Sequence, residues 1–217
     1  MNEAIERVII SKDWITIIIL MILAMLIYNK IRHPDRFERL QSIWLNNSYI
    51  NSYSKVSPVL LNKFNILFYV VLILIFSILI FDVTLVYNHV ESSYSLFYFL
   101  KILLYVAIFV GARLLIGVLL GILFESEREQ QYFSFLKISY LSNFCILIFP
   151  LLVLGVYIDS AKYTKGLLFF SIFLVVLYYL LFIRNNSKLI INQLFYFILY
   201  LCALEIAPFV IIYKLIV

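Results

Sequence analysis

Arg113 and Glu205 are ionisable side chains set deep inside apolar runs, where a charge is a functional hypothesis by default. Arg113 precedes Phe124, the end of its run, by 11 residues, which is about 16 Å of helix and places it near the middle of a bilayer core about 30 Å thick. Glu205 falls at the centre of the last apolar run, which travels in the opposite direction, so the two reach similar depth. A guanidinium and a carboxylate meeting there would form an intramembrane pair able to hold an anionic group or relay protons. The same pair could equally do no more than fix helix register. Pro208 leaves the carbonyl of Leu204 without its helical donor, a further acceptor for Arg113, and Pro150 does the same for Ile146. Tyr140, Ser142 and Asn143 bring hydrogen-bonding groups toward the same level. Gly117 and Gly121 follow Arg113 at four and eight residues, on its own helix face, and leave a groove for a close neighbour; the spacing more often means packing within one bundle than dimerisation.

Other chemistries lack their residues. His33 and His89 fall on opposite sides of the expected membrane, and no HExxH or His/carboxylate cluster occurs, so no metal is expected. There is no phosphate-binding glycine loop, no dinucleotide fingerprint and no nucleophile elbow, so neither a cofactor nor an enzymatic activity is expected. Cys145 and Cys202 lie within apolar runs without CxxC spacing and read as small packing residues. Asp82, Lys101 and Lys214 sit within about two turns of one surface, where snorkelling accounts for them.

The elements that must position these groups follow from composition. The chain has 217 residues, 65% hydrophobic and 13% charged, with a mean hydropathy of +1.06. Soluble domains carry about 25% charged residues, so this is a polytopic membrane protein. The reading is an all-α membrane protein, a single transmembrane domain over 1–217: a bundle of six transmembrane helices at about 14–28, 64–87, 94–124, 132–157, 166–183 and 194–217. The first is short and reaches full length only if Val8 to Ile10 join it; its acidic start and the lack of a cleavage site argue that it is retained. The fourth is expected to be broken by Pro150, and RNNSKLIINQ is expected to form a polar corner before the sixth. Within the cytoplasmic loop 29–63, Pro34 followed by Phe37, Leu40 and Trp44 predicts a short amphipathic helix with arginines on its polar side. Such a helix lies on the membrane surface or packs under the bundle.

A net charge of +5 raises the question of nucleic acid, but the basic residues cluster between spans as topology signals do, so no nucleic-acid partner is expected. Ten of them, Lys137 included, fall on the side of the 29–63 loop and five on the other, which puts both termini in the periplasm of a bacterial inner membrane. The expected partners are the bilayer itself and other membrane proteins, met through the helices or the 29–63 loop.

Arg113 with Gly117 and Gly121, the stretch FLKISYLSNFCILIFP from Phe135 to Pro150, and LEIAPFVIIYK from Leu204 to Lys214 resemble an uncharacterised family of Bacteroidota inner-membrane proteins, classified as a domain of unknown function. The last five spans, with a Tyr and a Pro in the middle one, are also similar to Yip1-type membrane proteins, which implies a trafficking or scaffolding role. The expectation is therefore a non-enzymatic subunit or scaffold of a larger envelope complex, with a link to protein secretion implied by the hosts of the first family. The alternative is a small transporter or lipid-handling protein that uses the Arg113 and Glu205 pair.

Overall fold

The computed structural model describes residues 13–43, 48–54, 62–88, 95–123, 125, 127–158 and 160–192. Within them the chain forms seven helices: α1 (Asp13–Arg32), α2 (Pro34–Gln41), α3 (Ser48–Tyr53), α4 (Lys63–Asn88), α5 (Leu96–Leu123), α6 (Glu127–Ile158) and α7 (Ala161–Asn192). Five of these, α1 and α4 to α7, are long and apolar enough to cross a membrane. The sixth expected span, 194–217, lies outside the described residues, and with it Cys202, Glu205, Pro208 and Lys214.

Runs rich in Ile, Val and Phe become helices because hydrocarbon offers no partner for a backbone N–H or C=O, and a helix satisfies both within one segment. The buried hydroxyls follow the same rule. Ser77, Ser139 and Ser142 donate to the carbonyls four residues back, Ile73, Phe135 and Ile138, at 2.6–2.7 Å.

Helices α4 and α6 form the centre, each with half of its apolar window buried, whereas only 11% of the α5 window is covered. At one rim Trp14 packs on Phe81 and Phe99, with ring centroids 5.4 and 5.1 Å apart, tying the starts of α1 and α5 to the end of α4. Nearby, Thr16 and Tyr157 share a 2.9 Å hydrogen bond that brings in the end of α6. Further in, Phe76 stacks on Phe144 and Phe144 meets the ring of Tyr178, joining α4, α6 and α7.

Several boundaries differ from the sequence reading. Helix α1 runs past Tyr28 through Asn29 to Arg32, and its 20 described residues span about 30 Å; Val8 to Ile10 lie outside the described residues. Asn29 is buried there, its amide donating a long hydrogen bond to the carbonyl of Phe64. Helix α6 continues through Pro150 to Ile158, because a proline in a span disturbs only the ladder bond it cannot make. Within the expected corner, residues 184–192 are instead helical, since α7 runs on to Asn192. The turn from α5 to α6 is tight, with Glu125 in the left-handed region at φ 52°.

The amphipathic helix of the 29–63 loop is α2, and it packs into the bundle. Pro34 opens it, and Phe37 and Leu40 are buried as the spacing requires. Phe37 stacks on Phe68 of α4, and Tyr49 of α3 stacks on Phe135 of α6, at centroid distances of 6.2 and 5.7 Å. The expectation that the arginines share one polar side is corrected. Arg39 is exposed and donates to Ser52, but Arg36 turns inward and is only 8% exposed.

Candidate functional site

Arg36 is a buried cation held largely by rings. Its guanidinium carbon lies 4.4 Å from the ring centre of Phe64, 5.0 Å from that of Tyr53 and 5.9 Å from that of Tyr49. Nε donates to the hydroxyl of Tyr49 at 3.3 Å and Nη2 to Oδ1 of Asn65 at 3.1 Å. No carboxylate among the described residues ion-pairs with it, so aromatic faces and two neutral acceptors stabilise the charge. Burial raises the pKa of the Tyr49 phenol, an effect the adjacent guanidinium partly offsets. His33, at the α1 to α2 corner, packs edge-on against Phe64. Its pKa is lowered, first by burial and then by the positive charges of Arg36 and Arg32.

The C-terminus of α2 raises the question of where its last four carbonyls find donors. Those of Glu38 and Arg39 are met by the backbone N–H and hydroxyl of Ser42. Those of Leu40 and Gln41 are met from α6: Nδ2 of Asn143 donates to both, at 2.8 and 3.2 Å. Both amide hydrogens are thereby committed, and Oδ1 accepts from the hydroxyl of Tyr178 on α7 at 2.8 Å. Asn143 is 2% exposed, so one buried amide joins three elements. From sequence Asn143 appeared only as one member of a polar cluster; its partner on α2 lies 103 residues away and left no local signal.

Arg113 lies where two clefts meet. One, of about 30 Å³, is lined by Arg113, Lys137, Tyr140 and Leu141 together with Val175, Tyr178, Tyr179 and Phe182 of α7. The other, of about 70 Å³, runs between α4, α5 and α6 and again includes Arg113, Lys137 and Leu141. Volumes of this size take a few water molecules. The structure thus brings Arg113 and Tyr140 to one cleft and joins Asn143 to it through Tyr178. Lys137, which the charge count assigned to the cytoplasmic side, lies inside α6 at the level of Arg113. Each is 10 residues from the α5 to α6 turn, counted from Leu123 and from Glu127.

The aromatic rim and Arg113 share α5. Arg113 lies 14 residues beyond Phe99, about 21 Å along α5. Gly117 and Gly121 are buried on α5. A Cβ at Gly121 would lie 3.2 Å from the Gln130 side chain, so this glycine seats α5 on α6 of the same chain. Pro150 is at the surface of α6, away from the clefts.

A family model described as a domain of unknown function (DUF4271) matches residues 15–216. The chain belongs to that family. Neither the curated proteins nor the solved structures include a significant match. The DUF4271 match takes in every element described above apart from the first two residues of α1, including the clefts, the Arg36 cage and the Asn143 bridge.

Proposed function

We propose that this chain is a non-enzymatic integral subunit of a larger envelope assembly in a bacterial inner membrane, with both termini periplasmic. The observation that carries this reading is the outer face of α5. Leu104, Ile108, Leu115, Val118 and Ile122 are all about half exposed or more. With Gly111, around which a Cβ would meet nothing within 4 Å, they recur at alternating spacings of four and three. These residues share one side of the helix, and a glycine at the centre of that side lets a neighbouring helix approach closely. The resemblance to Bacteroidota inner-membrane proteins is the source of the proposed location, and the Yip1-type likeness is the source of the scaffolding role. A transporter would need a wet path to Arg113, and the two clefts there, as bounded by the described residues, have room for only a few waters.

The test is a photo-crosslinking residue placed at Leu115 in cells, followed by purification in mild detergent. A single protein captured in fixed stoichiometry supports the reading. Crosslinks confined to lipid or to residues 193–217 of the same chain refute it. A double-mutant cycle on Arg113 and Glu205 addresses the alternative: coupling in stability alone fits a register pair, and coupling in uptake of an anion fits transport.

A further inference from the structure

Lys101 interrupts the apolar outward side of α5. It is exposed, between Phe97, 79% exposed, and Leu104, 58% exposed. At about 100° of rotation per residue it shares a side with Ile108, Gly111 and Leu115, whereas Phe99, Ile102, Gly117 and Gly121 are buried on the other side, against the bundle. The first turn of α5 holds no acidic residue, and no carboxylate among the described residues ion-pairs with Lys101. The helix dipole does not compensate, because it favours cations at the opposite end. A lysine alone on such a surface extends its amine to water. A helix seated along Leu104 to Leu115 would cover the stem of Lys101 and lie against its charge, and the charge therefore restricts which helix fits. A second copy of this chain fits badly. Copies inserted in the same sense would meet through α5 about a two-fold axis, which sets Lys101 beside Lys101. A carboxylate on a different protein meets the charge directly.

We infer that the outward side of α5 docks a membrane helix of a different protein, one that carries an Asp or Glu to pair with Lys101. The inference rests on the subunit reading and adds the chemistry of the partner. Lys101 precedes Gly111 by 10 residues, so the carboxylate would sit about 15 Å along the partner from the side chain that packs on Gly111. The test repeats the photo-crosslink from Leu115 in cells, in full-length wild type and in Lys101 variants. Lys101→Glu should cut capture of the wild-type partner about tenfold, through like-charge contact, and Lys101→Arg should retain it. Changing the partner's carboxylate to lysine should restore capture by Lys101→Glu. Equal capture by wild type and Lys101→Glu, or a captured protein with no acidic residue in or bordering its membrane helix, overturns the inference and leaves the subunit reading standing. Crosslinks only to lipid or to residues 193–217 overturn both, and capture of a second copy of this chain overturns the inference. Should the variants fail to fold, a carbodiimide, which couples an amine to a carboxyl group in contact with it, must join Lys101 of the wild type to an Asp or Glu of the captured protein; coupling only at other lysines overturns it.

Discussion

The hydroxyl of Tyr178 donates to Oδ1 of Asn143 at 2.8 Å, so a residue that walls the Arg113 cleft is joined, through one amide, to the C-terminal carbonyls of α2. Helix α2 is held at its end as well as along its apolar face.

Removing that amide takes a partner from three groups. Asn143→Ala leaves the carbonyls of Leu40 and Gln41 and the hydroxyl of Tyr178 without this partner, and we expect a loss of about 1–3 kcal/mol. Asn143→Asp should be worse, because it sets a carboxyl oxygen against two carbonyl oxygens. Tyr178→Phe, which vacates a single acceptor, should cost about 1 kcal/mol. Denaturant unfolding in micelles gives the order, and a Tyr178→Phe variant less stable than Asn143→Ala contradicts it.

Arg36 is expected to resist replacement by lysine. Two directed N–H donors and three ring faces match a flat guanidinium, and an ammonium cannot reproduce that fit. Arg36→Lys should therefore destabilise the protein by about 1–2 kcal/mol. The double variant Arg36→Met with Asn65→Leu, which removes the charge and one of its acceptors together, should recover much of the loss. Thermal unfolding of the two variants compares them, and equal stability of Arg36→Lys and wild type would rule out the ring-and-acceptor account.

Two glycines of α5 should respond in opposite ways. At Gly121 a methyl group meets the Cβ and Cγ of Gln130 at 3.2 Å, beside the backbone of Glu127 at 3.6 Å. Gly121→Ala should push α5 off α6 and destabilise by about 1 kcal/mol or more. Gly111 has open space around it, and Gly111→Ala should be neutral or stabilising by up to about 1 kcal/mol through helix propensity. In cells, Gly111→Ala should also weaken capture of a partner through the outer face of α5.

The α1 to α2 corner should loosen in mild acid. The pKa of His33 is lowered in the fold, by burial and by Arg36 and Arg32, so below about 6.5 the unfolded chain binds the extra proton first. The stabilising contribution is complete above that pH and declines as pH falls toward the folded value. Protection of residues 33–41, taken relative to the intrinsic exchange rate at each pH, should fall between pH 7.5 and 5.5 in the wild type and stay flatter in His33→Asn. Equal pH dependence in both would remove His33 as the cause.

What could be read in advance follows from how local the signals are. Apolar runs such as Phe64 to Phe81 are read directly, because hydrocarbon leaves the backbone no structure but a helix. The inward turn of Phe37 and Leu40 follows from spacing three apart. Arg36 did not, since its place depends on Phe64 and Asn65, brought alongside only when α4 packs. Lys137 was assigned to a surface because charge counting treats every lysine near a span end as a topology signal, and α6 carries it into the bundle. The helical course of Arg184 to Asn192 was hidden by polar residues that read as a turn. Gly121 was legible as a packing position, although its neighbour Gln130 was not.

The Asn143 bridge has a consequence for how the protein is made. The carbonyls of Leu40 and Gln41 leave the ribosome without the amide that will receive them, which is synthesised 103 residues later. At about 5–20 residues per second that interval lasts roughly 5 to 20 s. During it α2 must wait at the aqueous surface, where water can satisfy its end. Its final seat is filled only after α6 and α7 have been inserted, which makes this early helix one of the last pieces to settle.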